Sequence, residues 1–252
     1  TRYSSGGGSG DGGGSSGGGG SSGGGGSKPA DPDVEDPSDT GVSNWLNTRD
    51  HIAYLSGYPG GGFGPDNSMT RAEVAQMFYA LLNDKNVTIT TTFPDVPENA
   101  WYATAVNTLA SLGMVSGDAN GNYRPNDPIT RAEFCVIALA FAYEPENASC
   151  SFYDVFRSDW FYPYVAQAAS YGWIGGYTDN TFGPNDNITR AQVTTIVNNM
   201  LGRTADQDYV DDNLRRLNTF LDVPRAHWAY YQIMEAANTH DYTKNNGIES
   251  WR

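Results

Sequence analysis

The chain has 252 residues, 30 of them glycine, and a formal net charge of −14. That charge excludes broad nucleic-acid binding, which needs a Lys/Arg surface to neutralise phosphates. The apolar run from Cys135 to Ala142 is far too short to span a bilayer even with the aromatic residues that flank it, and an anionic ligand would have to be held by local basic sites against the global field.

Residues 1–27 are almost all Gly and Ser, and Lys28 to Asp39 is rich in Pro and Asp. Residues 1–41 are therefore expected to be a disordered tether, with a root-mean-square reach of roughly 30 Å for the Gly/Ser part. With neither initiator Met nor signal peptide, the chain reads as a C-terminal piece of a longer exported protein.

The rest is organised by repetition. SGYPGGGFGPDNSMTRAE from Ser56, SGDANGNYRPNDPITRAE from Ser116 and GGYTDNTFGPNDNITRAQ from Gly175 align without gaps. So do FPDVPENAW from Phe93, FYDVFRSDW from Phe152 and FLDVPRAHW from Phe220. The order is second half (42–92), full copy (93–151), full copy with connector (152–219), first half with tail (220–252). Two unmatched halves at opposite ends predict that they complete each other, bringing residues near His240 beside Ala53 and closing a ring of three units.

Each copy reads as helix, loop, helix. The first helix is expected to open near Trp101, Trp160 or Trp228. The second carries an i, i+3, i+4, i+7 stripe: Val74, Met77, Phe78, Leu81; Phe134, Ile137, Ala138, Phe141; Val193, Ile196, Val197, Met200. The class is mainly α. Thr70, Thr130 and Thr189, each followed three residues later by Glu73, Glu133 or Gln192, predict capping boxes. Asp95, Asp154 and Asp222 are expected to cap the turn into the first helix.

The capping box leaves Arg71, Arg131 and Arg190 unexplained. At the first helical position the dipole disfavours a cation by up to about 1 kcal/mol. Either a neighbouring acid pairs with each, or a bound anion does, and the dipole argument favours the anion. The turns at Gly57-Tyr58, Gly117-Asp118 and Gly176-Tyr177 have two readings: glycine supplies positive φ, or it lets a ligand approach while Tyr offers a sugar a flat face. Asp118 weakens the second reading in the middle copy. Trp101, Trp160 and Trp228 are core residues by default, with a rim position facing a sugar as the alternative.

Cys135 and Cys150, both within one copy, suggest a local disulfide worth up to about 3 kcal/mol, or two free thiols in an anaerobic habitat. The segment from Asp118 to Asn122 lacks the glycine and acidic end residue of a calcium loop. His51 and His240 should meet through the split repeat, but two imidazoles without cysteines are a weak metal signal, so neither metal nor cofactor is expected. No nucleophile elbow, metal motif or P-loop marks an enzyme.

The combination of F-x-D-V-x-x-x-x-W, a Gly-Tyr-Pro-like turn, an aromatic-x-Pro and T-R-A-E resembles the S-layer homology domain over about Ala53 to Tyr242. The resemblance implies a pseudo-threefold assembly around a central three-helix bundle, grooves between units, and a place at the cell surface. It also implies binding of a cell-wall polysaccharide attached to peptidoglycan, commonly pyruvylated, by Arg71, Arg131 and Arg190. The isolated module is expected to be a monomer without membrane insertion.

Overall fold

The computed structural model describes residues 34–143, 148–245 and 247–252, so most of the expected tether lies outside the described residues. Its last part, residues 34–41, departs from the expectation. Pro37 and Thr40 are buried, Glu35 N–H donates to Tyr171 O, and Thr40 O accepts from Tyr143 N–H at 2.9 Å. The Pro and Asp that suggested a linker build a turn, in which Asp36 Oδ1 accepts from the Ser38 amide and hydroxyl.

A 3-10 turn at Val42–Asn44 precedes α1 (Arg71–Leu81), α2 (Ala103–Ser111), α3 (Arg131–Leu139), α4 (Tyr162–Ser170), α5 (Arg190–Leu201), α6 (Gln207–Asp212) and α7 (Tyr230–Ala237). A hairpin of β1 (Tyr242–Asn245) and β2 (Ile248–Trp251) follows, antiparallel with Tyr242 opposite Trp251. The fold is mainly α. Helix α1 packs on α2, α3 on α4 and α5 on α7.

The stripes of α1, α3 and α5 share one core, where Val74, Phe134, Val193 and Val197 are fully buried. Phe78 stacks on Phe141 with ring centroids 4.7 Å apart. Each such side chain contributes roughly 1.5–3 kcal/mol by leaving water. A second cluster gathers Phe63 from the N-terminal half with Ile233, Met234 and Trp251 from the C-terminal end.

The residues just before α1, α3 and α5 exchange backbone hydrogen bonds in a closed cycle. Met69 N–H donates to Ile188 O, Ile188 N–H to Ile129 O, and Ile129 N–H to Met69 O, each at 3.0 Å. Three extended segments thus satisfy one another's backbone groups, although none is long enough to be a strand.

Asp95, Asp154 and Asp222 do not cap helices, and α2, α4 and α7 have no side-chain cap. The Asp154 carboxylate accepts the amides of Phe182 and Gly183 at 2.7 and 2.8 Å, and Asp95 those of Tyr123 and Arg124. Asp222 takes the amides of Phe63 and Gly64, both at 2.7 Å, across the split. A carboxylate two residues after the aromatic can reach two adjacent loop amides, and charge-assisted bonds of this kind outweigh a single cap. The two ends also meet at Tyr54 N–H to Ala236 O and His240 N–H to His51 O.

Candidate functional site

The three T-R-A-E/Q segments fold alike because their local signals agree. Thr70, Thr130 and Thr189 accept the amide of the residue three on, whose side chain accepts the threonine's amide in return. The next free amides are not available to a ligand. Arg71 N–H donates to Asp127 O and Ala72 N–H to Pro125 O, and the same pair recurs from Arg131 and Ala132 to Asp186 and Pro184. Arg190 and Ala191 donate to Asn67 and Pro65. The adjacent copy therefore fills the helix N-termini that might have received an anion.

The arginine side chains reach the same neighbour. Arg131 Nε donates to Phe182 O at 2.7 Å and Nη2 to Gly175 O at 3.3 Å. Arg190 repeats this on Phe63 O and Ser56 O, and Arg71 on Tyr123 O and Ser116 O. The links run from the N-terminal half to the first full copy, then to the second, and back, closing a cycle through the split repeat.

No carboxylate pairs with any of the three among the described residues. The expected alternative of a neighbouring acid is thereby replaced by neutral carbonyls, which orient a guanidinium without neutralising it. Arg131 and Arg190 are 4 and 5 % exposed, and burial lowers the Arg131 pKa. A buried cation without an anion is costly. Each fork keeps Nη1 unused among the described residues and lies over an aromatic ring, Arg131 on Phe182 and Arg190 on Phe63.

The predicted site residues collect in three equivalent grooves. One groove, of about 260 Å³, is lined by Arg190, Gly57, Tyr58, Glu73 and Trp101. A second, about 670 Å³, has Arg71, Gly117, Asp118, Glu133 and Trp160. The third, about 870 Å³, has Arg131, Gly176, Tyr177, Gln192 and Trp228.

The default reading of the tryptophans fails. Trp101, Trp160 and Trp228 are 62, 63 and 63 % exposed. Helices α2, α4 and α7 start two residues later, so each indole sits outside its helix and on a groove wall. Bare indoles at three matching positions cost hydration free energy without adding to the core.

Positive φ is not the structural reason for the glycines. Gly57, Gly117 and Gly176 have ordinary φ, but a Cβ on Gly176 would lie 2.7 Å from both the Phe152 ring and Thr181 O. Gly57 and Gly117 face Phe220 and Phe93 as closely. The aromatic of F-x-D-V packs on this backbone.

Asp118 has a companion that the sequence reading missed. Tyr58 and Tyr177 lie beside Gly64 and Gly183, where a Cβ would come within 3.0 and 2.8 Å of the tyrosine ring. In the middle copy the tyrosine is Asp118 and the glycine is Arg124, at φ 58, and the two approach to 3.8 Å. The Asn122 and Asn120 amides hold the Asp118 carboxyl below the usual range, so this groove carries an ion pair, Asp118 with Arg124, where the others carry a tyrosine.

Cys135 and Cys150 are free thiols, correcting the disulfide reading. Cys135 lies on the core face of α3, 1 % exposed, and burial pushes its thiol up to about 12. Away from the grooves, His51 and His240 do meet. They are joined by Glu235 and Glu249, which the sequence reading did not single out.

A family model described as S-layer homology domain matches residues 54–75, 92–135 and 151–194, a set that omits Phe220 to Trp228. The cellulosome-anchoring protein of Acetivibrio thermocellus is 32 % identical over 213 residues, 80 % of this chain and 46 % of that protein. Cell surface glycoprotein 1 of the same organism is 32 % identical over 228 residues, 83 % of this chain and 9 % of its own length. The amylopullulanase of Thermoanaerobacterium thermosulfurigenes is 36 % identical over 149 residues, 56 % of this chain and 8 % of the enzyme. The chain thus spans less than half the length of each of these relatives.

Proposed function

Since the chain belongs to the S-layer homology family, we propose that it anchors a surface protein to the bacterial cell wall by gripping an anionic polysaccharide in its grooves. A ketal-linked pyruvate on that polymer is the group each arginine takes. The observation that carries this reading is the guanidinium of each groove, oriented by carbonyls, unpaired with any carboxylate among the described residues, and set beside an exposed indole. A carboxylate would use the free Nη1, and a sugar ring would stack on the indole and on Tyr58 or Tyr177. The grooves with Tyr58 and Tyr177 bind best, because in the third the Asp118–Arg124 pair replaces the flat ring on which a sugar would stack.

The four segments act as one pseudo-threefold unit, and its cell-surface role is not catalytic. Glycoside hydrolysis needs two carboxylates across the substrate, whereas among the described residues the groove at Trp228 is lined by none and that at Trp101 only by Glu73. The groove at Trp160 has two, but Asp118 is held by the Asn120 and Asn122 amides and Glu133 by the amide and hydroxyl of Thr130.

Co-sedimentation with purified walls, before and after removal of pyruvate, tests the proposal. Retention should be lost with the pyruvate. Equal binding to stripped peptidoglycan refutes it, undiminished binding to depyruvylated polymer favours a lectin for neutral glycan, and release of reducing sugar favours a hydrolase.

A further inference from the structure

The seam between the two ends of the folded chain encloses four side chains that the grooves do not use. His51 lies in the N-terminal half, Glu235 in the last turn of α7, His240 follows that helix and Glu249 lies on β2. All four are buried, and one nitrogen or oxygen from each lies within 4.8 Å of the others. His51 Nδ1 is 3.0 Å from His240 Nε2, 3.2 Å from Glu235 Oε1 and 3.5 Å from Glu249 Oε2, and His240 Nε2 is 3.5 Å from Glu235 Oε2.

The two imidazoles lie at hydrogen-bond distance from each other, 3.0 Å, but the carboxylates do not share in that bond. Among the described residues no carboxylate oxygen of Glu235 or Glu249 has a side-chain hydrogen-bond partner. The Lys244 ammonium at 3.5 Å and the Thr204 amide approach Glu249 only. His240 Nδ1 is 3.0 Å from Asn238 O, a carbonyl that can only accept, so the proton sits on Nδ1 and Nε2 keeps its lone pair toward the cluster, 3.0 Å from His51 Nδ1. A backbone carbonyl fixing a histidine's tautomer in this way is a usual support of a metal ligand. Trp251 stacks on His240 at 3.6 Å and Tyr242 on His51 at 3.9 Å, which fixes both rings and shields the cluster.

We propose that His51, Glu235, His240 and Glu249 form a divalent-metal site of the zinc class that clamps the two ends of the folded chain together. Tetrahedral zinc with bonds of about 2.0–2.1 Å to nitrogen and oxygen places its ligand atoms about 3.3–3.4 Å apart. Four of the separations, 3.0–3.5 Å, bracket that value, and one ligand atom from each residue lies within 4.8 Å of all the others. Two carboxylates supply the negative charge a divalent ion needs in a buried site, although Lys244 shares that of Glu249, and imidazole with carboxylate favours zinc over calcium or magnesium. The ion ties the segment before Tyr58 to the hairpin after α7, so it supports the groove at Trp101 from behind.

The test uses the whole chain, unfolded with chelator, refolded without metal and titrated with zinc chloride alone. One zinc per chain is expected, with a rise in melting temperature of roughly 5–10 °C at a hundredfold excess over Kd. Cobalt(II) should give the intense visible bands of a four-coordinate ion. His240→Ala should weaken binding by more than the roughly 10–100-fold typical of losing a supporting residue alone. Glu249→Gln, with a nearly isosteric side chain, supplies a second ligand variant should His240→Ala fail to fold. A natively folded wild-type chain that takes up no zinc overturns the proposal, as does undiminished uptake by both variants. Metal-free stabilisation by Glu235→Gln without zinc uptake would identify a proton-sharing cluster instead.

Discussion

Arg131→Ala separates two duties that one side chain performs. In the native protein its Nε–H bond to Phe182 O is short, 2.7 Å, and buried, while the Nη2 bond to Gly175 O is long at 3.3 Å. A charged hydrogen bond contributes roughly 1.5–3 kcal/mol and a weak one about 0.5 kcal/mol. Stacking on Phe182 and Tyr177 adds roughly 0.5–2 kcal/mol. Relief from burying an unpaired cation offsets part of this. The net loss is about 2–4 kcal/mol, or a fall in melting temperature of roughly 4–16 °C for a domain of this size. Thermal unfolding by circular dichroism measures it directly, beside wall co-sedimentation below the transition. A melting temperature unchanged within about 1 °C would refute the inter-repeat staple. Arg131→Lys should recover part of the stability but little wall binding, because an ammonium lacks the planar fork.

Replacing Trp101, Trp160 and Trp228 together by Ala should change stability by no more than about 0.5 kcal/mol per site yet abolish retention on walls, and unchanged retention would remove the indoles from the site. Gly176→Ala should cost about 1–3 kcal/mol in denaturant unfolding, because Thr181 O cannot yield to a Cβ. Gly175→Ala, with open space around it, should be within about 0.5 kcal/mol of neutral. Asp118→Tyr alone should destabilise the middle copy, since the ring meets Arg124, whereas Asp118→Tyr with Arg124→Gly should restore stability and strengthen polymer binding in a calorimetric titration. Thiol titration should find Cys135 unreactive in the native protein, where its raised pKa keeps it protonated, with two thiols appearing in denaturant.

The repeats, the capping boxes and the apolar stripes were all legible in the sequence, because each rests on interactions within a few residues or on a self-similarity visible in the letters. Asn246-Gly247 between Tyr242 and Trp251 is a hairpin signal that could have been read in the same way. What three arginines do was only half legible. The dipole argument singled them out at a helix start, but their partners are carbonyls 44 to 134 positions away, which no local pattern names. The aspartates of F-x-D-V looked like caps for the same reason, since their amides lie 28 residues on or across the split. Exposure of the indoles, the backbone contact that requires Gly176, and the convergence of His51 with Glu235 and Glu249 depend on how the copies pack. Local sequence sets which segments become helices; closing the two ends of the fold on each other decides which polar groups are left facing a groove or a seam.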